Sequence, residues 1–301
     1  MWPPGPGDRR GHRSLPGAHG RGPGQRRSCD DHPGGLKVPG VPGDAFGSAA
    51  DDYARYRKCF PPETIDRLVE HGIGAAGQRV LDLGCGTGTI ARQMAARGCS
   101  VVGLDVDARM LEAAIEMADA DEVDVDWVEA PAESTGLADG SFDSVVAGQS
   151  WHWFDQDEAI SEVGRLLAPD GRFAVCGFDW LPLPDTVPGV TEALIEAHNP
   201  AWDLGGVRDY EPSLRPLLGD AGFEVLATFR FDVDVEYGTT AWRRRIGASA
   251  GIVNLSAEAA DAFDRDLSEM LGDRFPGDTV QTPHRVWGMV GRRRGVEPGT
   301  E

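Results

Sequence analysis

The chain has 301 residues, enough for one enlarged domain or two modest ones with a sizeable core. With 49 acidic against 29 basic residues the formal charge is -20, which repels a phosphate backbone and excludes nucleic acid as the expected partner. The 5 cysteines are odd in number and widely spaced, no pair has zinc-ligand spacing, and no stretch approaches the ~20 apolar residues of a membrane span. These features predict a soluble protein of a reducing cytoplasm, with no metal site and no membrane contact. Arginine supplies nearly all the positive charge beside Lys37 and Lys58, and with abundant Ala, Gly and Asp this points to a GC-rich bacterial genome.

Residues 1–44 are rich in Gly, Pro and Arg and nearly lack periodic apolar positions, which predicts a disordered, inert leader. From residue 45 to 301 helical and strand-like segments alternate, the pattern of a mostly parallel sheet flanked by helices. "PPETIDRLVEHG" opens on proline, closes on glycine and spaces Ile65, Leu68 and Val69 as a helix does. "RVLDLG" reads as a buried strand, "TGTIARQMAARG" as a helix, "SVVGLD" as a strand, "DARMLEAAIEMA" as a helix and "VDWVEA" as a strand. "FDSVVAG" is a fourth strand, "DEAISEVGRLL" a helix, "APDG" a turn and "RFAVCGF" a fifth strand. The later chain predicts helices in "VPGVTEALIEAHNP" and "EPSLRPLLGDAG", a long strand "FEVLATFRFDVDV", two helices over 239–280 and a last strand "HRVWGMVGRR". A strand, a helical insertion and a final strand suggest a sheet edge carrying a cap. The expected division is a donor-binding core over about 61–178 with cap or substrate insertions over about 181–215 and 238–282.

The chemistry begins at "VLDLGCGTGT". Gly84, Gly86 and Gly88 fall at a strand-to-helix turn, where missing side chains let the backbone approach a ligand. A dinucleotide-binding turn also uses glycines with an acid ~20 residues on, and Asp105 meets that expectation. The glycines run G-x-G-x-G, however, and Asp82 sits two residues before the first, where a carboxylate repels a pyrophosphate and favours an ammonium or sulfonium group. The lesser reading of Asp82 is a satisfied acid that pins the loop. A nicotinamide-dependent oxidoreductase is therefore the disfavoured alternative.

These segments resemble the class I S-adenosylmethionine-dependent methyltransferases, in the small-molecule group known as methyltransferase type 11. "VLDLGCGTG" is similar to the donor-binding loop, "VVGLD" to the second strand, "APAEST" to the third-strand loop, "DGSFDSVVAGQSWHWFD" to the fourth-strand region and "EVGRLLAPDGRF" to the approach to strand five. The resemblance implies a Rossmann-like, seven-stranded sheet with an antiparallel last strand and S-adenosylmethionine as cofactor. It implies that Gly84, Gly86 and Gly88 line the donor's methionine part and that Asp105 accepts from both ribose hydroxyls. It also implies that Val106 packs on the adenine and that Ala132 and Glu133 flank its amino edge, although Pro131 departs from an aspartate common there. "DDYARYRKCFPPE" resembles a segment that closes over the donor, so Tyr53 could cover the sulfonium and Arg57 could pair with the methionine carboxylate or face solvent.

Methyl transfer from a sulfonium is an in-line displacement, for which positioning is the enzyme's main task and a base is needed only by some acceptors. His152, just past the fourth strand in "GQSWHWFD", has three open readings: a base, part of the acceptor wall with Trp151, or local scaffolding. Gln149 is expected to touch the donor from the strand end, while His198, Trp202 and Tyr210 in the cap are candidates for substrate contact. The expected activity is methylation of a small molecule, a bacterial metabolite or natural-product intermediate, with oxygen the first choice of accepting atom. A donor-binding sensor or partner subunit without activity is the non-enzymatic alternative.

Overall fold

The strands run β3-β2-β1-β4-β5-β7-β6 in one seven-stranded sheet of a computed structural model. The structure describes residues 56, 58–202, 205, 206, 210–253 and 255–294, so the leader, Tyr53 and Arg57 lie outside the described residues. The strands are β1 (Arg79–Leu83), β2 (Ser100–Asp105), β3 (Asp126–Glu129), β4 (Phe142–Gly148), β5 (Leu167–Trp180), β6 (Phe223–Gly238) and β7 (Thr279–Arg293). Neighbours β1 to β5 pair in parallel, whereas β7 runs antiparallel to both β5 and β6. The expected sheet with its reversed last strand is therefore present.

Helices α1 (Pro62–Glu70), α2 (Thr89–Ala95), α3 (Ala108–Ala120), α4 (Gln156–Leu166) and α6 (Glu211–Asp220) flank this sheet, α5 being Val187–His198. Local chemistry starts them: a proline opens α1, Asp107 accepts from Arg109 N at α3, and Asp155 accepts from Glu158 N at α4. Ile65, Leu68, Ile90 and Met94 pack α1 and α2 with Val80, Val146 and Val290 in one core. Ile160, Val163, Leu214 and Leu218 pack α4 and α6 with Leu81, Val145 and Phe173 in a second. Strands covered on both sides carry apolar runs, as β1 does, whereas the edge strand β6 alternates buried or half-buried residues with exposed ones.

Three helices, not the two expected, fall within 239–280, and two strand details also differ from the sequence reading. The "APDG" turn lies inside β5: Leu167 already pairs with Phe142 and Arg172 with Ser144, so the four intervening residues bulge out with Asp170 at φ 65°. The last strand also starts five residues earlier than expected, because Thr279 to Pro283 pair with β6 beyond the end of β5. A two-stranded ribbon thus leaves the sheet past Trp180. At its tip sit α7 (Thr239–Gly247), α8 (Ala250–Val253) and α9 (Ala257–Arg274), which connect β6 to β7.

These helices and α5 share a third core built on Val187, Ile195, Trp242, Ile246, Phe263 and Leu267, with Tyr237 and Val280 of the ribbon. Trp242 holds α7 to α5, its Nε1 donating to Thr191 Oγ1 at 3.1 Å, and ties both to the strands, its ring meeting those of Trp180 and Tyr237 edge-on. Trp242→Ala is expected to cost ~3–5 kcal/mol through the cavity left behind. Urea unfolding of wild type and variant measures this, and a loss below ~1 kcal/mol contradicts the assignment of Trp242 as the cap's anchor.

Candidate active site

Strand order reverses at β1, which pairs with β2 on one side and β4 on the other, so a crevice opens at its carboxyl end. The glycine turn lies there. Gly84 and Gly86 take φ values of 69° and 54°, a region where side chains strain the backbone. A Cβ on Gly84 would stand 2.6 Å from the Ser150 Cβ, because Ser150 Oγ donates to Leu83 O at 2.7 Å and draws the β4 loop under the turn. A Cβ on Gly86 would meet nothing within 4 Å, so that backbone borders open space. Gly88 stands against the Trp127 ring.

Asp82 is 2% exposed, and its Oδ2 accepts from Ala91 N at 2.9 Å. It pins the end of β1 to α2, one of its two sequence readings. Burial pushes its carboxyl up to about 7, with the nearby Asp105 adding to the rise and the Ala91 N–H opposing it. Burial also raises the Cys85 and Cys176 thiols, which stay protonated at neutral pH and are not thiolate nucleophiles.

Asp105 ends β2 with both carboxylate oxygens oriented. Oδ2 accepts from Gly86 N at 2.8 Å and Oδ1 from Asp107 N at 3.0 Å, which aims the group at the glycine turn. Val106 beside it is 69% exposed, an apolar side chain open at the strand end. The expected adenine-edge pair divides: Ala132 is buried in the core, and Glu133 Oε1 accepts from Asp155 N at 2.9 Å.

The "WHW" segment (Trp151–Trp153) is a 3-10 turn that sorts its aromatics by burial. Trp151, expected on the acceptor wall, is instead a core residue packed against Phe173 and Phe154 at ring separations of 5.1 and 5.8 Å. His152 is exposed with its ring 4.9 Å from that of Trp153, which is 73% exposed. Gln149 takes φ 62°, a strained value for glutamine; its N–H donates to Cys176 O at 2.8 Å and its Nε2 to Asp179 Oδ1 at 3.1 Å.

The cap candidates also have partners. His198 Nε2 lies 2.9 Å from Asp266 Oδ2, joining α5 to α9 within the cap. Trp202 Nε1 donates to Glu192 Oε2, and Trp180 Nε1 donates to Oε1 of the same buried carboxylate. Tyr210 stacks on Trp287 at 4.6 Å, and Trp287 Nε1 donates to Asp179 Oδ2. Sequence reasoning missed Asp179, Trp287, Glu192 and Arg245, whose guanidinium lies 5.2 Å over the Trp180 ring. The available signal for Asp179 was its place at the end of the fifth strand; the rest depend on pairings between distant segments. Among the described residues no group of acids, histidines and cysteines could hold a metal, and no helix is long and apolar enough to cross a membrane.

Residues 81–175, which carry the glycine turn, Asp105 and Gln149, match the methyltransferase domain family. The match places a methyltransferase domain at residues 81–175. It is 41% identical over 134 residues to the uncharacterized methyltransferase Rv3342 of Mycobacterium tuberculosis, covering 44% of this chain and 51% of that protein. It is 35% identical over 141 residues to a malonyl-[acyl-carrier protein] O-methyltransferase of Enterobacter lignolyticus, covering 46% of this chain and 54% of that one. The chain thus spans about half the length of these curated relatives. Among solved structures, a protein of Anaeromyxobacter dehalogenans assigned as a type II methyltransferase shares the fold at a TM-score of 0.57 and 21% identity, covering 78% of this chain and 97% of that chain.

Within the methyltransferase domain Asp82 carries a pH signature. Between about pH 4 and 7 the folded chain holds a proton on Asp82 that the unfolded chain releases, so this site favours folding most below pH 4 and loses that contribution as pH rises through 7. Asp82→Asn keeps an acceptor for Ala91 N–H and removes the titration. From pH 5 to 8 it is expected to gain roughly 2 kcal/mol relative to wild type in urea unfolding; parallel stability curves contradict the burial of a protonatable carboxyl here.

Proposed function

We propose that this protein transfers a methyl group from S-adenosylmethionine to a small-molecule acceptor, with the donor seated at the ends of β1 and β2. The observation that carries this reading is Asp105, whose carboxylate is held at the glycine turn by Gly86 N–H with Val106 exposed beside it. The residues fit the donor: the open space at Gly86 admits a chain against the backbone, Val106 offers an apolar platform for a base, and Asp105 can accept from a vicinal diol. When bound, S-adenosylmethionine supplies an electrophilic methyl group on a sulfonium.

The chain's own residues hold and shield the reactants. Gly84 and Gly88 shape the turn, and Asp82 becomes fully ionised when a cation approaches, which favours a positively charged ligand. Gln149, braced by Asp179, sets the floor where acceptor and donor meet. Ala132 and Glu133 flank the adenine edge. The core over about 61–178 binds the donor, and the insertions over about 181–215 and 238–282 cover the acceptor, aligning the pair and excluding water. His152 lines the mouth of this cleft on an exposed turn.

The acceptor in this reading is a bacterial metabolite or natural-product intermediate methylated on oxygen in the cytoplasm. The O-methyltransferase relative supports oxygen, and the charge of -20 disfavours nucleic acid. Calorimetric titration with S-adenosylhomocysteine tests the donor site. Asp105→Ala is expected to weaken binding ~100-fold or more, the scale of two hydrogen bonds to a charged group, and unchanged affinity overturns the assignment. Incubation with methyl-labelled donor and extract of the source organism, followed by mass spectrometry, is expected to yield a labelled small molecule. Donor binding without any labelled product favours a sensor.

A further inference from the structure

His284 lies outside the donor site proposed above and stands where the sheet, the cap and the segment leading into α1 converge. It lies on β7 opposite Trp180 of β5 and Val233 of β6, at the point where the ribbon leaves the sheet, and is 4% exposed. Its ring packs against Phe178 at 5.0 Å and Tyr237 at 6.1 Å. Phe178 meets Phe60 at 5.8 Å, and Lys58 Nζ lies 5.6 Å over the Tyr237 ring. Phe60 also flanks Gly148 at the end of β4, one residue before Gln149. This aromatic wall therefore continues from the fourth strand's end, where methyl transfer is proposed to occur, up to His284.

The two ring nitrogens have different jobs. Nδ1 lies 2.8 Å from the Thr282 carbonyl oxygen, which can only accept, so Nδ1 carries the proton and Nε2 presents a lone pair. Among the described residues no hydrogen bond holds Nε2, so its lone pair is unclaimed within a nearly buried ring. Burial pushes the imidazole down to about 4, the Arg245 charge helping and the Thr282 bond and Asp179 opposing, so the lone pair stays available at neutral pH.

The charges around it indicate what kind of acceptor fits. Asp179 is engaged by Gln149 Nε2 and Trp287 Nε1, and Glu192 by Trp180 Nε1 and Trp202 Nε1, so both carboxylates already have N–H donors. The basic groups nearby, Lys58 and Arg245, offset these two carboxylates, so the surroundings offer an ammonium acceptor no net attraction. A neutral hydroxyl on an apolar or aromatic body matches both the lone pair and the Phe60, Phe178 and Tyr237 wall.

We infer that His284 Nε2 receives the hydroxyl of the methyl acceptor, an alcohol or phenol, in the cleft beneath the cap; this rests on the methyl-transfer reading above. In the transfer the acceptor oxygen gains the methyl carbon, and the donor sulfur keeps the electron pair of its broken bond to that carbon. The hydroxyl proton passes to Nε2 and on to water, which restores the neutral imidazole.

The test uses the full chain labelled with ¹⁵N-histidine, loaded with S-adenosylhomocysteine and titrated separately with phenol and toluene. Nitrogen–proton correlation spectra are expected to show one imidazole that stays neutral at pH 5.5, protonated on Nδ1, whose Nε2 resonance moves saturably with phenol and not with toluene. His284→Gln assigns that signal by its loss, and the pH titration assigns it in the wild type if the variant does not fold. A proton on Nε2, equal responses to the two probes, or no response to phenol overturns the inference. Calorimetry on the same sample separates the two readings: failure to bind S-adenosylhomocysteine defeats the methyl-transfer proposal, whereas donor-site binding with an unresponsive Nε2 defeats the role of His284 alone.

Discussion

The buried carboxylate of Asp82 fixes the geometry on which the site depends. By accepting the Ala91 N–H it locks the end of β1 to α2, so the intervening turn must pass through left-handed conformations at Gly84, Gly86 and Gly88. That turn then presents Gly86 N–H to Asp105, and the carboxylate at the end of β2 is oriented by the same backbone that borders the open space. One buried hydrogen bond thus aligns two adjacent strand ends. Burial raises the cost of an ionised Asp82 and pushes its carboxyl up to about 7.

The second constraint comes from the far side of the sheet. Because β7 runs antiparallel between β5 and β6, its first residues and the last residues of β6 project past the ends of the parallel strands. The cap helices grow from that ribbon and bury their own core around Trp242. Cap and crevice therefore lie at the same end of the sheet, linked by the hydrogen bonds of Asp179 with Gln149 and Trp287.

Features set by local chemistry were legible in the sequence. The glycine turn, Asp82, Asp105 and the broad alternation of strands and helices follow from neighbours a few residues apart. What the sequence hid depends on register between distant segments. The "WHWF" aromatics looked equivalent in one dimension, but the turn buries Trp151 and exposes His152 and Trp153. Asp179, Trp287, Glu192 and His284 gain their partners only through the pairing of β5 with β7 and the packing of α5 on the ribbon. His284 in particular follows a proline in an alternating strand, and nothing nearby in sequence distinguishes it from an ordinary core residue.

The central claim is that the turn after β1 and the carboxylate of Asp105 receive a positively charged nucleoside and not a dinucleotide. The most direct measurement is a pair of calorimetric titrations of the wild-type chain, one with S-adenosylmethionine and one with NAD. The account predicts saturable one-to-one binding of S-adenosylmethionine and none of NAD over the same concentration range. Tight binding of NAD with no binding of the sulfonium would contradict it.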